Sequence, residues 1–260
     1  MLNVLDLFAG IGGFSLGLER TGGFKTVAFC EIDEKARLVL KNNFPCVPIF
    51  NDVKELNGKT IRTLGCSIDV ITGGFPCQDI SLAGRGNGLE GKRSGLWFEF
   101  SRLIEEIQPK YAIIENVSAL RSRGLEQVLR SLFEIGYDSE WHCIPASAVG
   151  APHQRDRIWI VAYPSSQGLP GSKQLRHYFE EALGRGPTSP RPTSQPCSIS
   201  GGTFYSWDTE PSVGRVANGI PGRVDRLKQL GNAVVPQIPE LIGRSILTLE
   251  EVNNEASIRY

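Results

Sequence analysis

Short apolar runs and stretches of helical periodicity alternate regularly along most of this chain. Leu2-Asn3-Val4-Leu5 reads as a buried strand, and a glycine-rich turn leads from it into an amphipathic helix from about Phe14 to Arg20. Thr26–Cys30 predicts a second strand and Lys35–Asn42 a second helix. Ile68–Thr72 and Tyr111–Ile114 read as further strands, with a helix over Leu96–Gln108 between them. A helix over Leu125–Ile135 and strands over Asp138–Ile144 and Arg157–Ala162 complete the regular part. This order predicts an α/β fold, a doubly wound and mostly parallel sheet with helices on both faces.

After Tyr163 the pattern breaks. Residues 164–206 are rich in Pro, Ser and Gly, with one short helical stretch near Leu175–Leu183, and predict either a small irregular lobe or a partly disordered insertion. Regularity returns with Arg223–Leu230, then Gly231-Asn232-Ala233-Val234-Val235-Pro236, then a helix from about Gln237 to Leu249. No internal repeat is visible.

Composition narrows the class. With 260 residues and 40% hydrophobic content, the chain can build a sizeable core without covalent staples. Its six cysteines are scattered with no Cys-x-x-Cys pair, which argues against a metal site or a disulfide framework and suits a reducing cytoplasm. The apolar start, Met1–Leu18, contains Asp6 and several glycines and lacks a basic leader, so it does not read as a signal peptide. No stretch approaches the ~20 apolar residues of a membrane span. Net charge is zero, yet residues 151–230 hold 10 Lys and Arg against 6 Asp and Glu. A local positive patch is what phosphate binding needs, although a solvated face reads the same way.

The chemistry concentrates where strands end. Ligands of open parallel sheets sit outside the carboxyl ends of the strands. There one strand runs out into Gly74-Phe75-Pro76-Cys77-Gln78, delivering a thiol, and another into Glu115-Asn116-Val117, delivering a carboxyl. The first strand runs out into Phe8-Ala9-Gly10-Ile11-Gly12-Gly13, a turn whose backbone can approach a ligand closely. Glu31, about 20 residues on, could accept from ribose hydroxyls. Taken alone, the turn fits a nicotinamide enzyme or a flavoprotein equally, Glu31 reads as an exposed acid, and Asp52 and Asn232 read as an N-cap and a turn residue.

Taken together and in this order, these motifs resemble the DNA (cytosine-5)-methyltransferase family over residues 1–163 and roughly 223–250. The resemblance implies a Rossmann-like S-adenosylmethionine-dependent methyltransferase sheet with a small recognition lobe. Residues 1–163 would form the catalytic and cofactor-binding domain, 164–222 a short variable target-recognition region, and 223–260 a segment returning to the catalytic domain. It implies S-adenosylmethionine held by Phe8, Ala9, Gly10, Ile11, Gly12, Gly13, Glu31, Ile32, Asp52, Val53, Pro76, Leu96, Asn232 and Ala233. Phe8 would lie beside the adenine, and Asp52 would accept from its exocyclic amine.

Cytosine C5 is a poor nucleophile, and thiolate addition at C6 turns the ring into an enamine whose C5 attacks the methyl group. The resemblance assigns that thiolate to Cys77. Glu115 would relieve the charge at N3 if its pKa is raised, with Asn116 bracing the site. Gln154-Arg155-Asp156-Arg157 is similar to the family's arginine motif, although His153 stands where the family usually has glutamine. Arg157 would contact the cytosine O2 and orient Glu115, and Arg155 would hold the thiolate side or a phosphate; an Arg155–Asp156 salt bridge is the structural alternative. Water is the expected base for the final C5 proton. The target base must be flipped out of the duplex. Gln78, Ser81 and Arg93, in and beside the glycine-rich basic stretch Ser81–Gly95, would touch the DNA.

The implied partners are double-stranded DNA and a cognate restriction endonuclease, with no membrane partner, and the chain is expected to be a monomer. Three other readings stand beside this one. A transfer-RNA methyltransferase of the same family would share the chemistry. A nicotinamide oxidoreductase would leave Cys77 and Glu115 idle, and a non-catalytic DNA-binding module should have lost one of them.

Overall fold

The computed structural model describes residues 1–76, 95–167 and 223–258. Seven strands make one sheet: β1 (Leu2–Leu7), β2 (Phe24–Cys30), β3 (Ile49–Phe50), β4 (Val70–Gly73), β5 (Tyr111–Val117), β6 (Tyr137–Pro145) and β7 (Asp156–Pro164), in the order β3-β2-β1-β4-β5-β7-β6. The pairs among β3, β2, β1, β4 and β5 are parallel, whereas β7 runs antiparallel to both β5 and β6. The mostly parallel sheet expected from the sequence is present. The helices are α1 (Gly13–Glu19), α2 (Glu34–Asn43), α3 (Gly58–Arg62), α4 (Leu96–Ile107), α5 (Leu120–Arg123), α6 (Leu125–Glu134), α7 (Arg223–Asn232) and α8 (Gln237–Ile258). The short helical stretch expected near residues 175–183 lies outside the described residues.

Alternation along each strand divides the core into two layers. Leu5 and Leu7 of β1, with Ala112 and Ile114 of β5, face a cluster that includes Trp97, Phe100, Leu103 and Ile104 of α4 and Val128 and Leu132 of α6. Val4, Tyr111 and Ile113 face the other side, against Phe14 and Leu18 of α1 and Ile238, Leu241, Ile242, Ile246 and Leu249 of α8. The α8 residues recur at i, i+3, i+4, i+8 and i+11, the spacing of a single apolar stripe.

Three elements escaped the sequence reading because little in them is periodic. β3 is two residues long and, among the described residues, pairs only with β2, and α5 is four residues long. α3 is one turn, started by Asn57, whose side chain accepts from the Lys59 and Thr60 amides. α8 also runs nine residues beyond its expected end at Leu249.

The first helix packs closely against the segment that leads into the last. A Cβ on Gly17 would collide with the Pro236 carbonyl oxygen and come within 3.0 Å of the Pro239 Cβ; one on Gly13 would lie 2.7 Å from the Val234 carbonyl oxygen. Backbone cannot yield as a side-chain tip can, so α1 must be bare where residues 234–239 cross it. We expect Gly17→Ala to destabilise the protein by about 1–3 kcal/mol. Gly231→Ala, where an added Cβ meets nothing within 4 Å, should be neutral or slightly stabilising. Urea unfolding of the two variants checks the contrast, which an equal effect would refute.

Candidate active site

The glycine turn after β1 is built by left-handed backbone. Phe8, Gly10 and Gly12 have φ of 52°, 55° and 87°, a region that Gly adopts freely and Phe does not. Beneath the turn, Asp6 is fully buried and accepts from the Ser15 hydroxyl at 2.8 Å and the Thr72 hydroxyl at 2.9 Å. Burial pushes its carboxyl up to about 7, against the opposing pull of the two hydroxyls. Asp6 therefore knits β1, β4 and α1 together at the root of the turn.

Glu31, at the end of β2, is buried and accepts from the Gly10 amide at 2.7 Å and the Asp33 amide at 2.8 Å. An added Cβ on Gly10 would meet nothing within 4 Å, so open space lies above the turn. Beside it Ile32 is 71% exposed, an apolar side chain available to cover a ring. Ala9 is buried, Ile11 half-buried, and Gly12 and Gly13 buried under α2 and Val234. The Phe8 ring lies 6.3 Å from Phe100.

Side chains that the sequence reading passed over pin the remaining segments to this turn. Arg102 of α4 donates to the Val53 carbonyl at 3.2 Å and the Leu56 carbonyl at 2.9 Å, holding the Asp52–Val53 turn in place. Glu99 and Glu106 flank its guanidinium at 2.8 Å, and that i, i+3, i+4 charge spacing was the available signal. Asp52 Oδ1 accepts from the Lys54 amide at 2.9 Å, but a turn and not a helix follows it, so its alternative reading as a helix N-cap is not met. Asp33 caps α2 and also receives Lys228 Nζ at 3.0 Å and Gln229 Nε2 at 3.1 Å. α7 is thereby tied to the end of β2. Arg155, itself left-handed at φ 38°, donates to the Gly231 carbonyl at 2.7 Å and the Ala233 carbonyl at 2.8 Å. Its guanidinium thus secures the turn containing Asn232 and Ala233.

Glu115 and Arg157 meet at the chemical end. In the sheet register Val117 lies opposite Arg157, and Arg157 Nε is 2.8 Å from Glu115 Oε1. Burial raises the Glu115 carboxyl above its ordinary range, with Arg157 and then Arg155 opposing. A Cβ on Gly74 would come within 2.7 Å of Glu115 Oε2, so the carboxylate occupies space that a side chain at 74 would take. Asn116 is buried; its Nδ2 donates to the Phe75 carbonyl at 3.2 Å while its Oδ1 accepts from the Val117 amide. The Phe75 ring packs 5.4 Å from Trp97, whose indole N–H donates to Ser131 at 2.9 Å. The turn Gly74–Pro76 is held through both its backbone and its ring, and Leu96 opens α4 beside it, packed against the same core.

Cys77, Gln78, Ser81 and Arg93 lie outside the described residues. Among the described cysteines Cys30 is buried with its thiol pushed up to about 12, and burial raises Cys143 as well; both suit inert thiols. Among the described residues no group of His, Cys, Asp and Glu could hold a metal ion, and no helix is long and apolar enough to cross a membrane.

A sequence model of C-5 cytosine-specific DNA methylases matches residues 2–188. The chain belongs to that family. It is 42% identical over 160 residues to the type II methyltransferase M.CviJI of Paramecium bursaria Chlorella virus IL3A, a match covering 61% of this chain and 42% of that protein. M.HpaII of Haemophilus parainfluenzae is 32% identical over 171 residues, covering 64% and 47%. The chain therefore spans about two-fifths to half the length of these relatives. A crystal structure assigned to a DNA modification methyltransferase encoded within an E. coli prophage superposes with a TM-score of 0.58 at 32% identity, covering 67% of this chain and 50% of that one. DNMT2 of Spodoptera frugiperda, at 23% identity and a TM-score of 0.56 over 66% of this chain and 53% of its own, shares the fold. The sheet is the Rossmann-like arrangement of this C5 methyltransferase family.

Two outcomes test the geometry of this family member. Asp6 ionises more readily in the unfolded chain than in the folded one. Its contribution to stability is therefore complete at low pH and is lost as pH rises from 3.8 to about 7. The melting temperature of wild type minus that of Asp6→Asn should fall across this window and level off above it; a pH-independent difference would contradict the assignment. Second, Gly74→Ala should destabilise the protein by about 1–3 kcal/mol. Much of that loss should vanish in a Glu115→Ala background, as a double-mutant cycle would read.

Proposed function

We propose that the protein is a DNA (cytosine-5)-methyltransferase that uses S-adenosylmethionine and forms a covalent bond between Cys77 and C6 of a flipped-out cytosine. The observation that carries this reading is the half-buried Glu115–Arg157 pair beside the Gly74–Pro76 turn, with Cys77 the next residue along the chain.

The cofactor fits the residues present. Open space over Gly10, the buried carboxylate of Glu31 and the exposed apolar Ile32 suit a ribose and an adenine ring. In this reading Glu31 holds the ribose, Phe8 and Ile32 flank the adenine, Asp52 and Val53 meet its edge, and Asn232 and Ala233 with Pro76 and Leu96 close the pocket. When bound, S-adenosylmethionine supplies an electrophilic methyl group.

The remaining chemistry belongs to the chain. Cys77, as thiolate, adds to C6 and forms an enamine with C5 as its nucleophilic carbon. Charge develops on the ring, and Glu115, its carboxyl raised by burial, donates at N3. Arg157 keeps Glu115 aimed at that atom and donates to the ring O2. Asn116 holds the Phe75 carbonyl and so fixes the backbone leading into Cys77. Arg155, fastened to the Gly231–Ala233 turn, keeps the cofactor pocket and the chemical end in register. Double-stranded DNA is the proposed substrate, engaged in part through Gln78, Ser81 and Arg93, and a cognate restriction endonuclease is the proposed partner, supported by the type II designation of the relatives.

An oligonucleotide duplex carrying 5-fluorocytosine, incubated with protein and methyl donor, should yield a covalent adduct at Cys77 that Cys77→Ser abolishes. Glu115→Gln should slow methyl transfer by roughly a hundredfold or more. No adduct, with methyl appearing on transfer RNA but not on DNA, would overturn the substrate; full activity of Cys77→Ser would overturn the mechanism.

A further inference from the structure

The carboxyl edge of the sheet continues past Glu115 into a feature that the chemistry above does not use. β5 ends at Val117, and the chain turns through Ser118 and Ala119 into α5, which carries Arg121, Ser122 and Arg123 within one turn. A cleft of about 430 Å³ opens here, lined by Ser118, Arg121, Ser122, Arg123, Cys143 and Asp156. A second, of about 680 Å³, shares Arg121, Ser122 and Arg123 and runs on between Phe98 of α4 and Arg130 and Ser131 of α6. The two clefts therefore adjoin across the arginine turn. The inner one reaches Asp156, whose neighbour in the chain is the Arg157 that holds Glu115.

The lining chemistry selects an anion. The inner cleft is lined by the guanidinium groups of Arg121 and Arg123, one carboxylate, Asp156, and the Ser118 hydroxyl, while the Ser122 hydroxyl donates to the Ala119 carbonyl at 3.3 Å. In the outer cleft Glu126 is engaged by Arg130 at 3.0 Å, and Glu134 lies at its far side. α6 begins at Gly124 with no side chain accepting from its first amides, which adds a weaker donor array on the same wall. A long open trough with donors along its floor fits a chain of phosphates better than a single small ligand.

We propose that the Arg121–Arg123 turn is a docking site for the sugar-phosphate backbone of DNA flanking the target base. This rests on the reading of DNA as substrate. Guanidinium groups that grip phosphate oxygens contribute affinity and register without sequence information. Because it continues directly from the Glu115–Arg157 edge, duplex seated here is carried away from the flipped base along α5 and α6.

The test compares wild type with Arg121→Gln/Arg123→Gln, using a long duplex and a minimal one that ends a few base pairs from the target. Each lost phosphate contact lowers the slope of log affinity against log salt by about 0.9, so the double variant should lose roughly 1.8 on the long duplex. Its KM for long DNA should rise about tenfold, while turnover at saturating DNA and cofactor affinity change little. The minimal duplex should show a much smaller difference, and Arg121→Lys/Arg123→Lys should recover most of the slope. If wild type methylates the duplex and the variant keeps its slope and KM, the docking site is refuted and the functional reading stands. An equal loss on both duplexes with reduced turnover would instead make the turn a support of the active site, which also refutes the proposal. If wild type binds DNA without transferring methyl, the functional reading fails and the slope comparison still decides the docking site. If wild type binds no DNA, both fall.

Discussion

A carboxylate withdrawn from water needs either a proton or a cation, and the chemical end of this protein is organised around that requirement. Glu115 has both at hand: burial raises its carboxyl, and Arg157 sits 2.8 Å away. The two influences oppose each other, burial favouring the protonated carboxyl and Arg157 the ionised one. The balance depends on geometry that only this sheet supplies. β7 must run against β5 for the beginning of one strand to meet the end of the other, and Gly74 must be bare for the carboxylate to fit.

The same logic, repeated with different partners, assembles the end of the site around the glycine turn. Charged side chains there bind backbone as well as each other. Glu31 takes the Gly10 and Asp33 amides, Arg102 takes the Val53 and Leu56 carbonyls, and Arg155 takes the Gly231 and Ala233 carbonyls. Each joins segments far apart in sequence without needing a shared strand or helix. Loops that would otherwise be free to move are held to the carboxyl edge, where elements from both ends of the chain meet. The bare surface of α1 at Gly13 and Gly17 lets the last of these segments arrive.

Most of the fold was legible because period and alternation are local. Strands β1, β2, β4 and β5 and helices α4 and α6 have apolar positions that identify them from a few neighbouring residues. What was not legible was mostly long-range. Asp33 caps α2, and nothing in residues 31–36 announces that Lys228 and Gln229 will also reach it. Arg102 was passed over, and its hold on the Val53 and Leu56 carbonyls becomes visible only when the Asp52 turn lies beneath it. Arg155 carried the reading of a thiolate or phosphate contact; its bonds to the Gly231 and Ala233 carbonyls required a tertiary fold to be seen. The short elements β3 and α3 failed for a simpler reason, being too brief to establish any period.

The reversed direction of β7 also separates two points that sequence places in succession. β7 starts beside Glu115 and ends at Pro164, opposite Tyr137, on the far rim of the sheet; α7 resumes back at the near rim, against Asp33. Nine residues of β7 rise roughly 30 Å at about 3.4 Å each, which sets the height between the end of β7 and the α7 contact with Asp33. An extended tether of roughly nine residues would span it, whereas residues 168–222 number 55. The scaffold thus sets a minimum span on this connection and no maximum, leaving its length open to variation with both anchoring rims undisturbed.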